Sequence, residues 1–115
     1  MIMRIWHGVT KASQSKDFFN YLMKTGVPWY CSLAGNRGVL VLRRVKEEKS
    51  EFLLLSRWDS VDSIKRFAGL DIDTAVYNFS EDINYLLKLE TQVAHYELLA
   101  DIRPEEPIAH MNNRK

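Results

Sequence analysis

Cysteine is almost missing from this chain. Cys31 stands alone among 115 residues, so no disulfide can close within the chain, and a four-thiolate zinc site is excluded by counting. A single free thiol suits a reducing cytoplasm, which is the expected compartment. Long apolar runs are missing too. No stretch approaches the roughly 20 residues that cross a bilayer as a helix, and "MIMRIWHG" at the start lacks the basic head, apolar middle and small-residue cleavage site of a signal peptide. No membrane partner is expected. Nor is there an excess of charge: sixteen basic residues face fifteen acidic ones, interleaved, for a net +1. A nucleic-acid binder needs a concentrated basic face to displace counterions, so nucleic acid is not an expected partner. Arg43, Arg44 and Lys46 come nearest, and Glu47 and Glu48 follow at once. The familiar catalytic signatures are absent as well. There is no G-x-S-x-G, P-loop, Rossmann glycine pattern or zinc-finger spacing, which sets aside hydrolase, kinase and nicotinamide-dehydrogenase chemistry.

What is present suits one compact domain. The chain is 46% hydrophobic, and a domain this small buries a modest share of its surface, so a subunit interface is a natural source of further burial. Residues 2–9, "IMRIWHGV", alternate with period two. That places Met3, Ile5, His7 and Val9 on one strand face and Ile2, Arg4, Trp6 and Gly8 on the other. From Ser13 or Ser15 to about Thr25 the spacing of Phe18 with Leu22 and of Phe19 with Met23 predicts a helix. "GVP" at 26–28 reads as its stop, with a short segment from Trp29 to Leu33 beyond. "AGNRG" reads as a turn. Runs 39–46 and 51–58 read as a hairpin closed by "EEKS". The second run is apolar on both faces, as in a central covered strand. Asp59 or Ser60 caps a helix that buries Ile64, Phe67 and Ala68 and ends at Gly69; Asp62 suits its first turn. A further helix is predicted over 80–89, capped by Ser80, with Ile83, Leu86 and Leu87 facing inward. A last strand is predicted over 91–100, and 101–115, with two prolines and few apolar residues, reads as an extended or disordered tail.

Strand, helix, strand, strand, helical region, strand is the order of the α+β ferredoxin-like fold, a split βαβ antiparallel sheet with helices on one face. The other face must be covered. A second copy packed sheet to sheet, making a homodimer, is the direct way to do it.

The blocks "GNRG", "LRR", "FLLLSRWDS", "IKRFAG", "AVY" and "HYE", in this order, resemble the antibiotic biosynthesis monooxygenase-like family of the dimeric α+β barrel superfamily, over about residues 2–99. The resemblance implies a domain over 1–100, a dimeric barrel, and a cavity between sheet and helices that binds a small aromatic ligand. It also implies cofactor-independent monooxygenation, with a non-catalytic binding module as the alternative. The haem-degrading members carry an asparagine on the first strand, a tryptophan in the helix after the central strand and a haem-ligating histidine beyond. Here those places correspond to His7, Phe67 and "LDIDTAVY", which has no histidine. Neither haem nor any other cofactor is therefore expected.

Candidate site residues divide accordingly. His7 and His95 lie on strands that neighbour each other in a split βαβ sheet, so their imidazoles can meet and serve as base toward a phenolic substrate; equally they can be bonded within the sheet or an interface. Trp58 can stack on a flat ligand or plug the core. Tyr77, Phe67 and the other aromatic residues offer cavity walls or packing volume. Arg44, like Arg37, can hold an anionic group or stand in solvent. Glu97 can orient an imidazole or pair with Arg4, Arg43 or Arg44. A histidine–glutamate metal site lacks a third ligand at recognisable spacing, so no metal is expected.

Overall fold

The computed structural model describes residues 1–105, and the outer part of the predicted tail, 106–115, lies outside the described residues. Strand β1 (Ile2–Lys11) leads through a 3-10 turn at Ala12–Gln14 into α1 (Ser15–Lys24) and α2 (Gly26–Ser32). Strands β2 (Asn36–Lys46) and β3 (Lys49–Trp58) form a hairpin, followed by α3 (Val61–Ala68), the single turn α4 (Asp82–Tyr85) and β4 (Ala94–Glu97). The four strands make one antiparallel sheet in the order β2-β3-β1-β4. This is the α+β, split βαβ arrangement that the order of apolar runs predicts.

Local rules account for much of it. Ser60 caps α3 by accepting a hydrogen bond from the Ser63 amide, and Gly69 closes it at φ 88°. Gly35, at φ 91°, is required twice over. A Cβ there would stand 2.1 Å from Ser63 Oγ and 2.8 Å from Asp59 Oδ1, so the strand-entry turn lies directly against the start of α3.

Three expectations change. "GVP" does not end the helical region. Thr25 breaks it at φ −124°, ψ −83°, and α2 starts at once with Pro28 in its first turn, where the missing N–H costs no intrahelical bond. The helix predicted over 80–89 shrinks to four residues, and Glu81, not Ser80, stands at its cap. Leu86 turns extended because this stretch pairs with β1: Leu86 bridges Thr10, and the Leu87 amide donates to Val9 O at 2.9 Å. Leu86 is consequently buried, while Ile83 and Leu87 are exposed. The strand predicted over 91–100 keeps only Ala94–Glu97, preceded by an isolated bridge between Thr74 and Gln92.

The helices cover one face of the sheet. On that side Trp6, Phe52, Leu54 and Trp58 meet Phe18, Leu22, Tyr30 and Ile64 in a single core. The opposite face presents Met3, Ile5, Leu40, Leu42, Leu53, Leu55 and Tyr96, and nothing among the described residues covers it: Leu40 is 48% and Leu42 45% exposed. The two-sided covering expected for β3 is thus supplied on one side only. No helix among the described residues is long and apolar enough to cross a membrane.

Candidate functional site

Strand β1 carries the polar chemistry of the helix side, and its alternation sets two neighbouring stations on that face. The first is Arg4, 1% exposed. Its guanidinium donates from Nε to Tyr30 Oη (3.3 Å), from Nη1 to Ile72 O (2.6 Å) and from Nη2 to Thr74 O (3.0 Å), and lies 5.1 Å from the Phe67 ring centroid. Register places His95 of β4 directly opposite. Nη1 also reaches His95 Nε2 at 3.1 Å, and His95 Nδ1 lies 2.8 Å from Asp73 Oδ1. Since guanidinium only donates and carboxylate only accepts, the tautomer follows: Nδ1 carries the hydrogen and Nε2 the lone pair. Burial first, then the Arg4 charge, hold the His95 pKa below its ordinary value, against the opposing bond from Asp73. A neutral imidazole therefore joins a buried cation to a half-exposed anion.

The second station is Trp6. Its indole lies over Gly8, where a Cβ would stand 2.1 Å from the ring. Its Nε1 donates to Tyr77 Oη (3.0 Å), which donates on to Glu90 O (2.7 Å). Around it opens a cavity of about 40 Å³ walled by Trp6, Trp29, Tyr30, Tyr77 and Phe79, with Asp82 on its lining. That space holds a few water molecules. Burial pushes the Asp82 carboxyl up to about 6, opposed only by the Tyr21 hydroxyl. Tyr21 in turn is pushed up to about 12, by burial first and then by the charges of Asp82 and Glu81. The buried Tyr21 hydroxyl has no hydrogen-bond partner of good geometry.

Of the candidate substrate-binding and catalytic residues only Tyr77 lines this cavity, joined by Trp6, Trp29 and Tyr30 from the aromatic residues offered as walls or packing volume. Trp58 is fully buried, donates from Nε1 to Ser56 Oγ (2.8 Å) and packs on Phe67 and Tyr30. It is a core plug. Phe67 packs on Trp58 and under Arg4. His7 and His95 do not meet, because their strand positions differ by one in parity and their side chains leave opposite faces. His7 sits on the uncovered face, with Nε2 2.7 Å from Glu51 Oε2 and Nδ1 3.9 Å from Glu90 Oε2. Arg44 joins the same Glu51 at 2.5 Å, and Arg37 lies 3.3 Å from Asp59. The bond from His7, then that from Arg44, hold the Glu51 carboxyl below its usual range. Glu97 orients neither histidine; Asp73 and Glu51 do. No group of three or more potential metal ligands converges among the described residues.

Arg4, Asp73 and Asp82 were not singled out as site residues from the sequence. For Arg4 a signal existed, since a basic residue that shares a strand face with a tryptophan and a glycine points into packing. Asp73 lies in a segment without periodicity and carried none, and Asp82, near the start of the helix predicted over 80–89, reads as a charge suited to a first helical turn.

No protein-family model matches the chain, and no curated protein matches it either. Solved structures do. A candidate antibiotic biosynthesis monooxygenase from Bacillus cereus is 14% identical, with 91% of this chain and 97% of that one aligned at a TM-score of 0.60. The haem degrader MhuD from Mycobacterium tuberculosis, solved with two haems in its active site, is 15% identical over 90% of this chain and all of its own, at 0.59. A third, a candidate antibiotic biosynthesis monooxygenase from Deinococcus radiodurans, is 17% identical over 92% and 100%, at 0.57. This chain shares their fold. Haem does not suit the cavity found in it. No histidine lines that cavity, His7 and His95 are engaged elsewhere, and His110 lies outside the described residues.

Proposed function

We propose that the chain is a homodimeric small-molecule-binding protein of the antibiotic biosynthesis monooxygenase-like kind, whose cavity takes a flat aromatic metabolite. The observation that carries this is the wall of five aromatic rings around one carboxyl, between sheet and helices. Aromatic faces reward a planar ligand, and few polar groups are needed to orient it. A flat ring needs more than 40 Å³, and one wall suits adjustment. Among the described residues, the amides of Val76, Tyr77 and Asn78 donate to no backbone carbonyl, and these residues belong to no helix or strand.

Cofactor-independent monooxygenation fits such a cavity. A phenol that has lost its proton to a base is electron-rich enough to react with dioxygen; one oxygen atom enters the ring as a quinone carbonyl and the other leaves as water. Of the two imidazoles first considered as base, His95 is bonded at both nitrogens and His7 is on the far face. That favours a second reading, a non-catalytic binding module. Calorimetric titration with 1-naphthol, run beside oxygen-electrode measurements, separates them. Binding with oxygen uptake supports the enzyme, binding without uptake the module, and absence of binding removes both.

The second copy belongs on the uncovered face, where Leu40, Leu42, Leu53 and Leu55 supply the apolar centre and Arg44, Glu51 and His7 the polar edge. Sedimentation equilibrium should return twice the 13.5 kDa chain mass. Leu42→Asp should return a folded single chain, and a wild-type protein already at that mass would exclude the dimer.

A further inference from the structure

Composition predicts an extended or disordered tail from Asp101 onward, yet the first residues of that tail are tied to the sheet. Strand β4 lies at a sheet edge, and the Leu98 amide continues its pairing by donating to Met1 O at 2.9 Å. Shortly beyond, Asp101 Oδ2 accepts from Arg57 Nη1 at 2.9 Å. Arg57 belongs to β3, pairs with Met3 of β1, and shares the uncovered face with Leu53 and Leu55. Past Glu97 the chain has therefore left the β4 edge and crossed to the uncovered face, where β1 starts and β3 finishes. Arg103 folds back on the same carboxylate, donating from Nη2 to Asp101 Oδ2 at 3.1 Å.

Ion pairs open to water contribute little, and alone they do not offset the entropy of ordering several residues. The apolar side chains of the segment are the second feature. Leu99 is 88% and Ile102 89% exposed, and nothing among the described residues covers either. A large apolar side chain standing singly at a surface needs no explanation. Two of them on a segment pinned to the rim of an uncovered apolar face extend that face, and whatever covers the face meets them as well. A twofold pair is self-complementary, so each segment finds across the interface the same leucine-rich surface that lies beside it in its own chain. Such a surface takes leucine and isoleucine side chains without asking for a polar partner.

We propose that residues 98–103 form an arm that clasps the second copy: Leu99 and Ile102 of each chain pack on the sheet of the other, and Arg57, Asp101 and Arg103 staple the arm in position. The inference rests on the homodimer reading above and adds a contact that the sheet faces alone do not supply.

The test is sedimentation equilibrium of the full chain over a concentration series, read beside hydrogen exchange of the amides of 99–103. Ile102→Asp should raise the dissociation constant roughly tenfold or more, and Leu99→Asp added to it should raise it further, because each substitution removes a large apolar side chain from both arms of the dimer. Asp101→Ala keeps both apolar side chains and removes the staple, so it should weaken the dimer by only a few-fold. Circular dichroism of all three should match the wild type. The arm amides should exchange slowly in the wild-type dimer and freely in Leu42→Asp, which separates the copies and leaves the arm intact. Equal exchange in those two proteins would overturn the clasp, whether slow, with the arm packed on its own sheet, or fast, with the arm packed on nothing. A wild-type dissociation constant in the doubly substituted protein would also overturn it and leave the homodimer standing. Wild-type protein at the mass of a single chain would remove the homodimer reading and the clasp with it.

Discussion

Arg4 and Trp6 are two residues apart on one strand and face the same way, yet their surroundings are opposites. At Arg4 each polar group is answered: a buried cation meets two carbonyls, a tyrosine hydroxyl and an imidazole, and the imidazole passes the interaction to Asp73. At Trp6 the packing opens, the Asp82 carboxyl has its pKa pushed up to about 6, and the buried Tyr21 hydroxyl beside it lacks a hydrogen-bond partner of good geometry. Closed polar networks rigidify, and here the network clamps carbonyls 72 and 74 of an irregular segment onto the sheet. Open ones leave free energy for something not yet present. Titratable side chains at the first station are structural by this criterion, and those at the second are available to a ligand.

Breaking the closed station should have the largest effect. Arg4→Met leaves the Ile72 and Thr74 carbonyls, Tyr30 and His95 without their donor, and should cost about 3 kcal/mol or more in urea unfolding. Gly8→Ala attacks the open station instead. A methyl 2.1 Å from the indole displaces Trp6 into the cavity, with a stability loss of about 1–3 kcal/mol and disappearance of the naphthol heat.

Asp82→Asn should do the reverse to stability. The folded pKa of Asp82 is raised, so the folded state holds its proton more firmly than the unfolded chain. The stabilisation this brings is full below the unfolded value of about 4 and lost as pH rises through about 6. The variant should therefore be more stable than wild type by about 1 kcal/mol at pH 8, once partial solvent screening is allowed for, and equal to it near pH 4. Denaturant midpoints at the two pH values decide this. The smallest effect belongs to His95. Its folded pKa is depressed, so the unfolded chain takes up the proton first and stability falls as pH drops below about 6.5 toward the lowered folded value. His95→Gln should remove that slope in thermal melts.

Legibility followed the range of the interactions. Ser60 and Gly69 declared α3 because a cap and a left-handed stop act within one turn. The alternation in 2–9 separated Met3, Ile5 and His7 from Arg4, Trp6 and Gly8 correctly, since side-chain parity belongs to the strand itself. His7 and His95 were joined because their strands are neighbours, but their relative face depends on register between residues almost ninety apart, and only pairing determines it. The helix expected at 80–89 failed for a related reason. Its apolar spacing was genuine, and the free edge of β1 at Val9 and Thr10 competed for the same backbone groups and won.

By itself the sequence determined the order and type of the main elements, the alternation of side chains along each strand and the single core, because composition, periodicity and capping are properties of short stretches. Tertiary structure alone decided that a histidine should be locked between Arg4 and Asp73, that Trp58 should be sealed in the core, and that Asp82 should stand among aromatic rings with no cation near it among the described residues. Those outcomes depend on desolvation and on which distant groups meet. Neither exists until the chain has closed on itself.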